Sequence, residues 1–287
     1  MGLQSFKIRI SMKKLLQYLT TPLLLLFFIN MNSQAYKLIW NEEFNHSGKP
    51  DPEKWNFETG FIRNLEEQIY TKRRKNIRVR NEKLEIIARK ENYKNKRFNP
   101  KIKNYRINTE MAEYTSASIN TRGKFEFKYG RVEVRAKLPS GNGVWPAIWM
   151  LGANFEEIEY PYAGEIDIME HVGKKANEVH ATVHFPWDNA AGIKSNGGSI
   201  IIDNPSEEFH VYSVNWTSEK IEFLIDNSLY HSFDIDQAGN EQNPFRKPFY
   251  LILNLALGGN WAGPADPNIF PQKFVIDYVR VYKEIEE

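Results

Sequence analysis

The chain has no cysteine. Disulfides and lipid attachment through a thiol are therefore excluded, and the fold must hold by packing, with or without a metal. It also lacks an apolar run long enough to cross a bilayer well. The most apolar stretch, "PLLLLFFI" (22–29), falls far short of the roughly twenty residues a spanning helix needs. There is no internal repeat and no convincing amphipathic helical pattern longer than two turns. Nor is there a strong charge of either sign. The whole chain carries +2, but residues 1–35 hold Lys7, Arg9, Lys13 and Lys14 and no acid. The remainder has 34 basic against 36 acidic residues, a net charge of −2. Such near neutrality argues against nucleic acid or any other strongly charged partner.

What is present is apolar and aromatic material for one sizeable core. Of the 287 residues, 41% are hydrophobic and 14% aromatic, including 7 Trp and 14 Tyr. That content leans toward β structure and toward surfaces that stack on flat apolar faces. Residues 1–35 read as a secretory signal peptide. A basic start precedes the apolar run, and "NSQA" then places the small residues Ser33 and Ala35 where a signal peptidase reads. "MKKLL" from Met12 is the tidier opening. The expectation is a secreted or periplasmic protein cut near Ala35, free of the membrane afterwards, with one mature domain over 36–287.

Period-2 runs dominate that domain. "KLEIIARK" (83–90), "GKFEFKYGRVEVRAKLP" (123–139), "HVYSVNWTSEKIEFLIDNSLYHSFDI" (210–235), "FYLILNLAL" (249–257) and "FVIDYVRVY" (274–282) alternate, or run β-branched and aromatic. "TSEK" and "IDNS" look like hairpin connections. "LILNLAL" is nearly continuous apolar, as expected for a strand buried on both sides between two sheets. The fold class is all-β, an antiparallel two-sheet β-sandwich. Residues 89–110 are rich in Lys, Arg and Asn and read either as a solvated connection or as an anion-binding rim.

"GEIDIMEHVG" (164–173) carries three acids within six residues: Glu165, Asp167 and Glu170. A regular strand would put the first two on one face and the third on the other. A solvated acidic edge, a metal site and a catalytic pair are all readings of this stretch, but Ile166, Ile168 and Met169 suit the first poorly. Calcium loops favour Asn, Gly and backbone carbonyls over an Ile-rich strand. The catalytic reading explains the odd spacing if a β-bulge at Ile168–Met169 returns Glu170 to the face of the others. Glu165 and Glu170 would then stand four steps apart, about 13 Å between Cα atoms at roughly 3.3 Å per step. Leaning side chains would close the carboxyl gap to about 5–5.5 Å, the separation used by retaining glycosidases. In that scheme Glu165 attacks the anomeric carbon, Glu170 serves as acid and then base, and Asp167 assists Glu165.

"GVWPAIWMLG" (143–152) supplies Trp145 and Trp149, which share a face in a regular strand and would floor a sugar site or else fill the core. Pro146 suggests a sheet edge or an irregular strand start. "HATVH" (180–184) puts His180 and His184 on one face. His184 is positioned to serve a sugar hydroxyl or a carboxylate, or to be a satisfied structural residue.

Taken together, these segments resemble glycoside hydrolase family 16. "WNEEFN" (40–45), "YTSASINTRGKFEFKYGRVEVRAKLP", "WPAIWMLG", "GEIDIMEHVG", "HATVH", "FHVYSVNW", "LNLALGGNWAG" and "FVIDYVRVY" occur in the family's order over nearly all of the mature chain. The bulged acid motif is more similar to that of laminarinases (endo-1,3-β-glucanases) than to the evenly spaced motif of lichenases. The resemblance implies a β-jelly roll with a cleft across a concave sheet, and Glu165 as nucleophile, Asp167 as assisting acid and Glu170 as acid/base. It implies sugar contacts on the glycone side from Asn64, Glu66 and Gln68 in "NLEEQIY". Ser118 stands where the family usually has Arg in "YTSAR". A structural calcium is implied at Glu43, Glu82 and Asp277, with Glu82 in place of the usual Gly; no cofactor is expected for catalysis. The implied activity is a monomeric retaining endo-β-glucanase on β-1,3-glucan, with mixed-linkage glucan or a red-algal galactan as alternatives. A transglycosylase would share the same catalytic residues. A non-catalytic carbohydrate-binding module is the rival from another class, and it would not need the acid trio.

Overall fold

Alternation of apolar and polar side chains becomes strand structure across most of the domain. The computed structural model describes residues 36–187, 192–239 and 242–285; the signal-peptide reading of 1–35 lies outside the described residues. The first strands are β1 (Tyr36–Glu42), β2 (Asn56–Glu58), β3 (Gln68–Tyr70), β4 (Ile77–Val79), β5 (Leu84–Lys94) and β6 (Met111–Ser116). Next come β7 (Ser118–Asn120), β8 (Gly130–Lys137), β9 (Val144–Gly152), β10 (Glu165–His171), β11 (Glu178–Pro186) and β12 (Ile193–Ile201). The chain closes with β13 (His210–Trp216), β14 (Lys220–Ile225), β15 (Ser228–Asp234), β16 (Phe249–Leu257) and β17 (Gln272–Glu284).

They form two sheets. The larger runs β15-β14-β13-β8-β17-β5-β6-β3, with β1 also on β17 and β4 on β5. The smaller runs β12-β11-β10-β9-β16-β7-β2. Every pairing among the described residues is antiparallel except β3 with β6. This is a jelly-roll β-sandwich whose smaller sheet presents the concave cleft face. The core lies between the sheets. In β8, Val132, Val134 and Ala136 point inward, and in β11 so do Val179, Ala181, Val183 and Phe185. Each fully buried aliphatic or Phe side chain of this kind stabilises the fold by about 1.5–3 kcal/mol.

Three expectations are corrected. The run 123–139 is a continuous strand only over Gly130–Lys137; before it, Phe127 makes a single antiparallel bridge to Phe249, and Phe125 and Phe127 stack on each other between Trp40 and Trp216. β16 is buried throughout, but not between two sheets on both faces. Phe249, Leu251, Leu253, Leu255 and Leu257 enter the core. Tyr250 and Ile252 face the cleft and are buried there with Ala147, Trp149 and Leu151. Pro146 lies in a central strand rather than at an edge. It is tolerated because it sits one residue past the last β9–β10 pair, Glu170 with Ala147, where no ladder donor is required.

Candidate active site

The register of β10 shows the extra residue directly. Asp167 faces Thr182 and Glu170 faces His180, so three steps on β10 match two on β11. On the other side Asp167 pairs with Trp149 and Glu170 with Ala147, the same mismatch. Ile168 and Met169 both enter the core, 1% and 0% exposed. That consecutive inward pair is what a bulge permits and an even pleat forbids. Glu165, Asp167 and Glu170 therefore share the cleft face. Gly164, just before the strand, has φ 74°, and a Cβ there would sit 2.6 Å from Pro244 Cβ; only glycine fits that entry.

Asp167 is buried, Glu165 and Glu170 are half-buried beside it, and desolvation raises the pKa of all three. Asp167 and Glu170 add to the rise at Glu165, and Glu170 adds to it at Asp167. Positive and donor groups oppose it. His184 and Arg63 favour the Glu165 carboxylate, and Trp145 Nε1–H donates to Glu170 Oε1 at 2.9 Å. His184 Nε2 lies 3.2 Å from Asp167 Oδ2 and 3.9 Å from Glu165 Oε1, while its Nδ1 bonds Ser195 Oγ on β12 at 2.7 Å. His184 thus stands beside Asp167 and Glu165, with Asp167 Oδ2 left without a hydrogen bond. Three close acids cannot all ionise in such a place. The arrangement suits carboxylate and retained proton side by side, as acid/base chemistry at a sugar requires.

On one side of Glu170 lies an aromatic corner. Trp145 meets Trp261 edge to face at 5.4 Å, and Trp261 meets His180 at 5.0 Å. Trp261 comes from the short helical turn Gly259–Ala262 that follows β16. Its position in "GGNWAG" was legible, yet its partnership with Trp145 was not.

Trp149 is different. It is 7% exposed, and the Arg63 guanidinium lies over its ring, 5.0 Å from the centroid. The indole is not an open platform. A hydrogen-bond relay fixes it from beneath. Trp149 Nε1–H donates to Asn254 Oδ1 (2.7 Å), and Asn254 Nδ2–H to Tyr70 Oη (3.1 Å). The Tyr70 hydroxyl reaches Glu66, whose Oε2 also accepts from Gln68 Nε2 at 2.7 Å. Gln68 Oε1 closes the chain on the Leu257 N–H at 2.7 Å. Glu66 and Gln68, expected to touch sugar, are 4% and 1% exposed and instead hold this wall in place. Asn64 is exposed on the adjoining turn, with φ 56°. Ser118 donates to Glu58, which pairs with Arg63, so a guanidinium from a neighbouring loop stands near the position where the usual arginine is missing.

The expected calcium ligands do not fit a metal as they stand. Glu43 receives both Nε and Nη2 of Arg280 at 2.8 Å. Asp277 is paired with Arg135 and, at 3.3 Å, with Lys83. Glu82 is exposed in the tight turn after Asn81, both residues with positive φ, as the usual glycine would be. Two guanidiniums and an ammonium already neutralise these carboxylates. The basic residues near 72–80 also lie away from the acids. Arg74, Lys75, Arg78 and Arg80 line a separate cavity with Ser47, beside β4 of the larger sheet.

A jelly roll whose cleft holds two carboxylic acids on either side of a third, beside indole rings, is a glycoside hydrolase site. The chain belongs to the glycosyl hydrolases family 16, which it matches over residues 67–280. It is 43% identical over 263 residues to a beta-glucanase of Rhodothermus marinus, covering 88% of this chain and 86% of that one. It is also similar to a laminarinase of Zobellia galactanivorans solved with laminaritriose and laminaritetraose, at 38% identity and TM-score 0.76, covering 87% of this chain and 100% of that one. A structure from work on endo-acting O-glycanases of human gut microbiota that initiate mucin breakdown matches at 38% identity and TM-score 0.82, covering 87% and 91%.

Proposed function

We propose that this enzyme is a secreted, retaining endo-β-glucanase acting on β-1,3-glucan. The observation that carries the reading is the bulge, which sends Ile168 and Met169 to the core and brings Glu170 round to the face of Glu165. The glucanase relative and the oligosaccharide-bound laminarinase support the substrate class. The Glu165 carboxylate attacks the anomeric carbon as the bond to the leaving sugar breaks, and Glu170 gives its proton to the departing oxygen. Glu170, now a carboxylate, takes a proton from water. The water oxygen attacks the same carbon and Glu165 leaves, restoring both groups. Asp167, hydrogen-bonded to Glu165 and close to His184, sets the charge on the nucleophile. No metal is needed in this sequence of steps.

The test is release of reducing ends from laminarin by wild type and by Glu165→Gln, with lichenan, agarose, carrageenan and keratan sulfate alongside. Wild type should favour laminarin, and the variant should be inactive; equal activity would remove Glu165 from its role. Azide should partly rescue Glu170→Ala on an activated aryl β-glycoside and give the β-azide, whereas an α-azide would contradict retention. A second reading is an endo-acting O-glycanase, favoured by the higher TM-score of that neighbour. Mixed-linkage glucan follows β-1,3-glucan as an alternative within the first reading.

A further inference from the structure

Arg63 is a charged residue of the cleft that makes no contact with the reacting atoms in the proposed reaction. It lies on the loop between β2 and β3, and that loop is firmly built. Tyr105 Oη donates to Arg63 O at 2.6 Å, the Glu66 N–H does so at 3.1 Å, and Asn64 and Leu65 follow in left-handed conformations. The side chain leaves this turn, pairs through Nη2 with Glu58 and lays its guanidinium over Trp149. Glu58 is itself held by Ser118. Nη1 is buried and has no acceptor. The side chain as a whole remains 21% exposed. Its charge is felt at Glu165.

This covering changes what a sugar meets. A bare indole face binds the C–H face of a pyranose and discriminates little among hydroxyl patterns. A guanidinium adds N–H donors in a fixed plane, which seek oxygen acceptors. Glu58 neutralises its charge, so an anionic substituent is not demanded of the ligand.

We propose that Arg63 is a specificity-determining residue. The sugar unit lying over Trp149 is recognised through its oxygen substituents by the Arg63 guanidinium, not by stacking on the indole. The inference rests on the endo-glycanase reading of this cleft and names how one of its sugar units is chosen. It also gives Ser118 a purpose, because a small hydroxyl there orients Glu58 and leaves room for the guanidinium arriving from the loop.

The experiment compares wild type, Arg63→Met and Arg63→Lys, using initial rates over a concentration series of laminarin and the other polysaccharides above. Melting temperatures are recorded in parallel. Methionine keeps the length and apolar cover of Trp149 but donates nothing; lysine keeps the charge and the Glu58 pair but loses the planar fork. The expected result is a KM raised about tenfold to a hundredfold in Arg63→Met. At a pH above the Glu165 titration, where loss of the Arg63 charge no longer changes how much nucleophile is ionised, its kcat should stay within about threefold, and Arg63→Lys should recover little of the loss. An unchanged KM in Arg63→Met overturns the proposal. So does full recovery in Arg63→Lys, which would show that charge alone suffices, or a fall in kcat with a matching fall in melting temperature, which would show a structural role. Wild-type inactivity on laminarin would refute the β-glucan reading separately. The Arg63 comparison is then decided on whichever polysaccharide of the panel the wild type cleaves.

Discussion

Replacing Asp167 by asparagine should make the protein more stable and less active at once. Asp167 is 2% exposed, and donor atoms of Glu165, Asp167 and His184 lie within 4.8 Å of one another. Two unit charges at that distance repel by about 3.5 kcal/mol at an effective dielectric constant near 20. Burial first, and then the nearby Glu170 charge, raise the Asp167 pKa, which relieves part of this. The realised gain from Asp167→Asn is then about 1–2 kcal/mol, or about 3–6 °C in Tm at pH 8 for a chain of this size. The sign with pH follows from the same fact. An acid whose folded pKa is raised contributes stability at low pH and loses it as pH climbs through the raised value. The two proteins should therefore melt together near pH 4, and the variant should pull ahead toward alkaline pH. Asparagine keeps the shape and can still donate to Glu165, but it cannot change charge with it, so kcat should drop by about a hundredfold or more. Thermal melts at half-unit pH steps, with laminarin hydrolysis alongside, decide the matter. A variant no more stable than wild type at pH 8, or a gap that widens toward acid, would refute the reasoning.

Trp145→Phe removes the N–H that favours the Glu170 carboxylate, so the Glu170 pKa should rise further and the alkaline limb of the kcat/KM profile should move to higher pH. A limb that stays in place or moves down would separate Trp145 from the proton-holding acid. Millimolar calcium and a chelator should give melting temperatures within about 1 °C of each other, since Arg280, Arg135 and Lys83 already pair the candidate ligands. A rise of several degrees with calcium would show that the metal displaces those cations.

The sandwich was legible because half-buried strands print their burial as alternation, as in β8 and β11. β2, β3 and β7 were not legible; each is three residues long, too short for a period to show. The acid trio was readable because "EIDIME" breaks the period at one point, and a bulge is the economical repair. The wall of the cleft was harder. Glu66 and Gln68 were singled out as sugar contacts, but nothing in the sequence shows that Tyr70, Asn254 and Leu257 close a relay over them. Arg63 sits one residue before "NLEEQIY". Its value arises from Trp149, 86 positions away, and from a serine that looked only like a missing arginine. The expected calcium ligands were read by type, while the cations that meet them come from β8, β17 and the turn before β5.

The consecutive inward pair Ile168–Met169 ties the chemistry to the interior of the molecule. These two side chains act as a rivet through the sheet directly between the assisting acid and the proton donor. The spacing of the carboxyls cannot relax while the rivet is seated, and unseating it opens the main core. On warming, activity should therefore be lost together with the melting of the sandwich and not before it.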